Sequence, residues 1–131
     1  MKKPTHDILV VDDNASIRTL LEQFCIHNDL TCHSAANAKE AYYCFDTFVY
    51  KYILLDIKLN GDNGVDVCVR MRKTEAEKKQ TRSKIFAVTG LSTLVHRADL
   101  AIAGFDDIFE KPFGYKELLR RITSDWKHDV S

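Results

Sequence analysis

The sequence predicts an α/β fold, a doubly wound parallel sheet with helices on both faces. Three observations carry this expectation. Short, continuous apolar runs recur at residues 8–11, 52–55 and 85–88, and a strand buried on both faces reads as such a run, not as an alternation. Between them lie longer segments with apolar residues at helical spacing, so strand and helix signals alternate. The runs also end on reactive polar side chains: Asp12 and Asp13, then Asp56, then Thr89, while residues 107–109 stand shortly before Lys111. Ligands of open parallel sheets bind outside the carboxyl ends of the strands, so these groups are expected to share one pocket.

The first run leads into residues 15–28, where Ile17, Leu20, Leu21 and Phe24 mark one stripe of a helix. Residues 30–35 form a short, half-polar strand candidate whose polarity suits a sheet edge. Asn37 then caps a second helix, with Glu40 placed to reach back and Ala38, Ala41, Tyr42, Phe45 and Val49 as its apolar face. Residues 52–55 are the most evenly apolar strand, and residues 56–64, with Gly61, Asp62, Asn63 and Gly64, read as a loop. A third helix over 65–73 shows Val65, Cys68, Val69 and Arg72 on one side. Residues 74–82 contain no large apolar group and read as a solvated connection or helix extension. After the fourth strand, at 83–88, Leu94, Val95, Ala98 and Ile102 mark a fourth helix that Gly104 stops. Residues 105–109 are the fifth strand. Tyr115, Leu118, Leu119, Ile122 and Trp126 form the stripe of a last helix. Five βα units result, and a strand order of 2-1-3-4-5 with five helices closes them most simply.

A chain of 131 residues fits one domain. A single domain over residues 1–131, without an attached output domain, is therefore expected. Lys+Arg and Asp+Glu each number 19, so neither net charge nor a basic run favours direct nucleic-acid binding. The apolar stretch near the start is too short for a signal peptide or a membrane span, and a cytoplasmic protein is expected. Cys25, Cys32, Cys44 and Cys68 lie 7, 12 and 24 residues apart with no C-x-x-C pair, so they read as reduced, packing thiols. The five histidines follow no ligand pattern.

Asp12 and Asp13, Asp56, Thr89, and Lys111 with Pro112, in this order and at these strand ends, closely resemble the receiver domain of two-component response regulators. Gly64 eight residues after Asp56, Gly90 after Thr89, and Phe113 after Pro112 extend the resemblance over nearly the whole chain. Singly these features are weak; Asp12 and Asp13 before Asn14, for example, also suit a helix N-terminus. The ordered set is specific.

The resemblance implies a flavodoxin-like sheet and a phosphoacceptor role. Asp56 would attack a phosphohistidine and become an aspartyl phosphate. Asp12, Asp13, Asp56 and the backbone carbonyl of Lys58 would hold Mg²⁺ among oxygens. Without the cation, three carboxylates raise one another's pKa and repel phosphate. Lys111 would contact a phosphoryl oxygen as a point charge, and Pro112 would follow a cis bond. Thr89 would bind the phosphoryl group by its hydroxyl and move toward it, with Gly90 leaving room. The implied partners are a histidine kinase or histidine phosphotransfer protein and a downstream effector protein. The chain would be a switch catalysing only its own phosphoryl transfer and autodephosphorylation.

Two positions depart from the family pattern. Ile108 stands where receivers usually carry Tyr or Phe, and Phe109, one residue along, faces the other side of its strand. The output surface is thus expected to respond through backbone and loop shifts around residues 90–93. Lys58 replaces a smaller or amide side chain, and its ammonium is expected to alter phosphoryl lifetime; Leu91 could limit water entry. Two other classes share parts of the pattern. A Mg²⁺-dependent phosphohydrolase would need a D-x-D arrangement after the first strand and a substrate cap. A flavin mononucleotide binder would need a phosphate-cradling loop where Asp12 and Asp13 stand.

Overall fold

The computed structural model describes residues 3–90, 97–114 and 116–122. Five parallel strands, β1 (Thr5–Val11), β2 (Cys32–Ala35), β3 (Val49–Asp56), β4 (Lys84–Thr89) and β5 (Asp107–Glu110), form one sheet in the order 2-1-3-4-5. Around it lie α1 (Ala15–His27), α2 (Ala38–Thr47), α3 (Gly64–Lys78), α4 (Arg97–Ala103) and α5 (116–122). The predicted architecture and strand order are the observed ones.

The two-residue period of each strand divides its apolar run between two cores. Leu9, Val11, Ile53, Leu55, Ile85 and Ala87 pack with Phe45 of α2, Cys68 and Met71 of α3 and Leu100 of α4. Ile8, Val10, Leu54, Phe86, Val88 and Phe109 pack on the opposite face with Leu21 and Phe24 of α1 and Leu118 and Ile122 of α5. The central strand β3 therefore buries Ile53, Leu54 and Leu55 at 2% exposure or less. Each such side chain contributes ~1.5–3 kcal/mol when fully buried, which is why the middle of the sheet is the rigid base on which the strand ends stand.

Several helix faces differ from those the periodicity predicts. On α1, Leu20 is 49% exposed, and Cys25 takes the inward place beside Leu21 and Phe24. On α3, Val69 is half exposed while Val67, Cys68 and Met71 are buried. Ile102 of α4 is 84% exposed, and Leu100 is the buried anchor.

Boundaries shift as well. Val49 opens β3 instead of closing α2, where its N–H donates to the Pro4 carbonyl at 2.9 Å. Residues 105 and 106 precede β5, and residues 30 and 31 precede β2. α3 runs through to Lys78, so the first half of the 74–82 stretch is helix; Glu75 within it is buried and ion-paired, not solvated. Residues read as loop pair as a short antiparallel ladder, Lys58–Leu59 with Asp62–Asn63. The Asn37 cap is as predicted, its side chain accepting the Glu40 N–H, but Glu40 reaches back to the N–H of Ala36. Gly104, at φ +113°, ends α4 as expected. Leu94, Val95, Tyr115 and Trp126 lie outside the described residues.

Candidate functional site

The carboxyl ends of β1, β3, β4 and β5 carry the polar groups. Asp12 follows the last residue of β1; its N–H donates to the Ala35 carbonyl at 3.0 Å, continuing the ladder to β2. Asp56 and Thr89 are the last residues of β3 and β4. Lys111 follows β5, and its N–H donates to the Thr89 carbonyl at 2.7 Å. Asp12, Asp56 and Thr89 are buried, at 3, 6 and 5% exposure, whereas Asp13 is exposed. One carboxylate oxygen from each of Asp12, Asp13 and Asp56 lies within 4.8 Å of the others.

The Lys111 ammonium sits against two of these acids, with Nζ 3.0 Å from Asp12 Oδ2 and 2.7 Å from Asp56 Oδ2. Three further oxygens accept backbone N–H groups. Asp12 Oδ1 accepts the Asn14 N–H at 2.9 Å, Asp56 Oδ1 the Lys58 N–H at 2.9 Å, and Asp13 Oδ2 the Asn60 N–H at 3.0 Å. Asn14, not Asp12 or Asp13, caps α1, accepting from the N–H groups of Ser16 and Ile17. The acidic pair is thereby left for the pocket.

Burial raises the Asp56 pKa, and the neighbouring Asp12 adds to the effect; hydrogen bonds from Lys111 and the Lys58 N–H only partly oppose it. Burial alone would lower Lys111, but its bonds to Asp56 and Asp12 outweigh that, leaving the ammonium pKa above the ordinary value. Among the described residues, Asp12 and Asp56 thus pair with one ammonium and Asp13 with none, and the carboxylate charge is not balanced by ion pairs. The donors are hard oxygens, gathered closely enough to share one ion, and suit Mg²⁺ rather than a soft metal.

The loop after Asp56 is fixed from below by Gly64. A Cβ there would stand 2.7 Å from the Ile57 Cα and closer still to the Asp56 carbonyl oxygen. Only glycine allows α3 to start so near the Asp56 backbone, and the Gly64 N–H bonds the Ile57 carbonyl at 3.0 Å.

Asp12, Asp13, Asp56 and Lys111 are therefore brought together, with Thr89 beside them at the end of β4 and the Lys58 backbone on Asp56. Lys111 and Pro112 are joined by a cis peptide bond. Ile108 packs toward the α2, α3 and α4 face, and Phe109 is buried on the opposite one against Phe86 and Phe113. Phe109 thus cannot substitute for a ring at position 108. Leu91, Ser92 and Thr93 lie outside the described residues. The sequence reading missed Asn60 and Arg18, whose Nη1 donates to the Asp12 carbonyl at 2.8 Å. Asn60 offers only a backbone N–H, which no side-chain pattern reveals. Arg18 had one visible signal, a cation early in a helix where the dipole disfavours it.

The fold is shared with known proteins. Residues 8–123 match the response regulator receiver domain. The transcriptional regulatory protein SrrA of Staphylococcus aureus is 33% identical over 118 residues, covering 90% of this chain and 46% of that protein. The chain thus spans about half the length of the curated relatives it matches. A CheY-like receiver domain from Methanospirillum hungatei has a similar fold, with a TM-score of 0.81 at 24% identity over 97% of this chain and 96% of that one. A receiver domain of Saccharomyces cerevisiae Ssk1, solved with the histidine phosphotransfer protein Ypd1, gives a TM-score of 0.82 at 22% identity over 94% and 90% of the two chains. From the match over residues 8–123, on a 2-1-3-4-5 sheet with its acids at the strand ends, the chain belongs to the response regulator receiver-domain family.

Proposed function

We propose that this domain is the phosphoacceptor of a two-component or phosphorelay system, and that Asp56 carries the phosphoryl group. The observation that carries the reading is the unbalanced cluster: three carboxylates within 4.8 Å of one another, of which Asp12 and Asp56 pair with Lys111 and Asp13 with no cation among the described residues. A purely structural cluster gains nothing from leaving charge unmatched. A site that must take up both a cation and a phosphoryl group does.

Asp12, Asp13 and Asp56, with the Lys58 carbonyl, would hold Mg²⁺. Bound there, the ion would neutralise carboxylate charge and offset the charge of the transferring phosphoryl oxygens. The chain's own residues do the rest. Asp56, fixed by the Lys58 N–H and Lys111, attacks phosphorus; its new O–P bond forms as the donor imidazole N–P bond breaks, with that electron pair returning to nitrogen. Burial raises the basicity of Asp56 and so its nucleophilicity once ionised. Lys111 then has a phosphoryl oxygen to meet in place of the carboxylate oxygen. Thr89 supplies a hydroxyl donor beside it, and this contact biases the domain between two conformations.

The donor is a histidine kinase or a histidine phosphotransfer protein, a partner type supported by the Ypd1 complex of the Ssk1 receiver. The output passes to a separate effector or to a segment of a longer regulator, as the half-length match to SrrA suggests. A domain that takes its phosphoryl group from a histidine kinase or phosphotransfer protein works in the cytoplasm, where those donors act; separately, no described helix is long and apolar enough to cross a membrane. It catalyses only its own phosphorylation and autodephosphorylation.

Intact-mass analysis after acetyl phosphate and Mg²⁺ tests the reading. One phosphoryl adduct is expected on the parent, and none on Asp56→Asn or in excess chelator. An adduct that persists on Asp56→Asn, or turnover of a phosphate ester far beyond one equivalent, would overturn it.

A further inference from the structure

We propose that Arg18 is a positioning residue for the cation site, acting through the peptide between Asp12 and Asp13. The proposal rests on the functional reading above and extends it to a residue outside the acidic cluster. Arg18 lies on α1, four residues after the Asn14 cap. A guanidinium there meets the positive end of the helix dipole, an unfavourable place for a cation. Its partner explains the position: Nη1 turns back across the start of the helix and donates to the Asp12 carbonyl at 2.8 Å. The guanidinium is thus spent on a backbone oxygen, although three carboxylates stand nearby.

That contact completes the restraint of Asp12. Its N–H is held by Ala35, Oδ1 by the Asn14 N–H and Oδ2 by Lys111. The carbonyl is the remaining polar atom, and its direction sets the plane of the peptide that leads into Asp13. Asp13 has little else to fix it, since it is exposed and its carboxylate takes one hydrogen bond, from the Asn60 N–H. With the Asp12 carbonyl clamped, that peptide cannot rotate without breaking the bond to Arg18, so Asp13 is held facing Asp12 and Asp56. Outer groups that orient ligands in this way contribute strongly to metal affinity.

Charge and position predict opposite outcomes, which makes the role testable. Removing a cation beside three carboxylates should tighten Mg²⁺ binding if Arg18 acts only by its charge. Removing a clamp should weaken it. Calorimetric Mg²⁺ titration of the parent, Arg18→Met and Arg18→Lys should give a dissociation constant raised about ten-fold in Arg18→Met. Arg18→Lys, which keeps a donor and the charge, should recover most of the loss. The metal-free melting temperatures should agree to within about 2 °C. Equal or tighter binding by Arg18→Met, a lysine variant no better than methionine, or a large fall in metal-free stability would each overturn the positioning role. A parent that takes up no Mg²⁺ would instead overturn the reading of the site.

Discussion

The two ends of the sheet carry the same chemical groups in opposite states of balance. At the amino ends of β4 and β5, Arg72 pairs with Glu75 and Asp106 at 2.8 Å each, and Arg82 pairs with Asp106 at 2.7 Å. Two guanidinium groups meet two carboxylates. Backbone donors add to the pairing: Glu75 Oε2 accepts the Ser83 N–H, and Asp106 Oδ2, already paired with Arg72, also accepts the Ile85 N–H, each at 2.8 Å. Arg72 also donates to the carbonyls of Gly104 and Ser83, tying α3 to the entries of both strands. At the carboxyl ends, Asp12 and Asp56 share the Lys111 ammonium, and Asp13 beside them pairs with no cation among the described residues. A closed account of charge holds a fold together, and an open one leaves room for a ligand. Burial alone does not distinguish them, because Glu75 and Asp56 are equally buried, each at 6% exposure.

The largest expected difference comes from breaking the balanced end. Arg72→Met leaves Glu75 and Asp106 without their shared cation in a partly buried setting and should cost about 3 kcal/mol. Urea denaturation should show this loss with and without Mg²⁺, because the network has no use for the ion. Recovery in Mg²⁺ would mean that the two ends are coupled.

At the open end the effect is smaller and reversible. Lys111 is 28% exposed, so Lys111→Met should lower the stability of the metal-free protein by about 1 kcal/mol at low salt. Mg²⁺ should restore it. The pH dependence has a definite sign: the Lys111 pKa is raised by Asp56 and Asp12 against burial. Its contribution is therefore complete below the ordinary lysine value of about 10.4 and is lost as pH rises through the higher folded value. Urea midpoints of parent and Lys111→Met should converge in that alkaline range; a constant gap would contradict the ion-pair account.

Lys58 gives the finest test. Its N–H holds Asp56 while its side chain is exposed beside the site, so Lys58→Asn should change the dephosphorylation rate and leave stability within about 0.5 kcal/mol. Equal phosphoryl lifetimes would remove its ammonium from the account.

The contrast also explains what the sequence disclosed. The open end was legible because each of its groups follows an apolar run, and strand direction converts that pattern into convergence: Asp12, Asp56, Thr89 and Lys111 all stand at the same edge. The balanced end was hidden. Arg72 and Asp106 are 34 residues apart, and neither ends an apolar run, so residues 74–82 read only as a solvated connection or helix extension; the extension is real as far as Lys78, but nothing in the pattern marks Glu75 as buried. Helix faces failed for another reason. Val67, Cys68 and Val69 are adjacent in sequence, so helical periodicity alone does not decide whether Val67 or Val69 joins Cys68 in the core; Val67 does, and Val69 is half exposed.

The most direct measurement of the central claim is to locate the acyl phosphate by residue. After acetyl phosphate and Mg²⁺, borohydride reduction converts a phosphorylated aspartate to homoserine, which peptide mass spectrometry can read. The account predicts homoserine at position 56 and at neither 12 nor 13. Homoserine at 12 or 13 with position 56 untouched, or at none of the three, would contradict it.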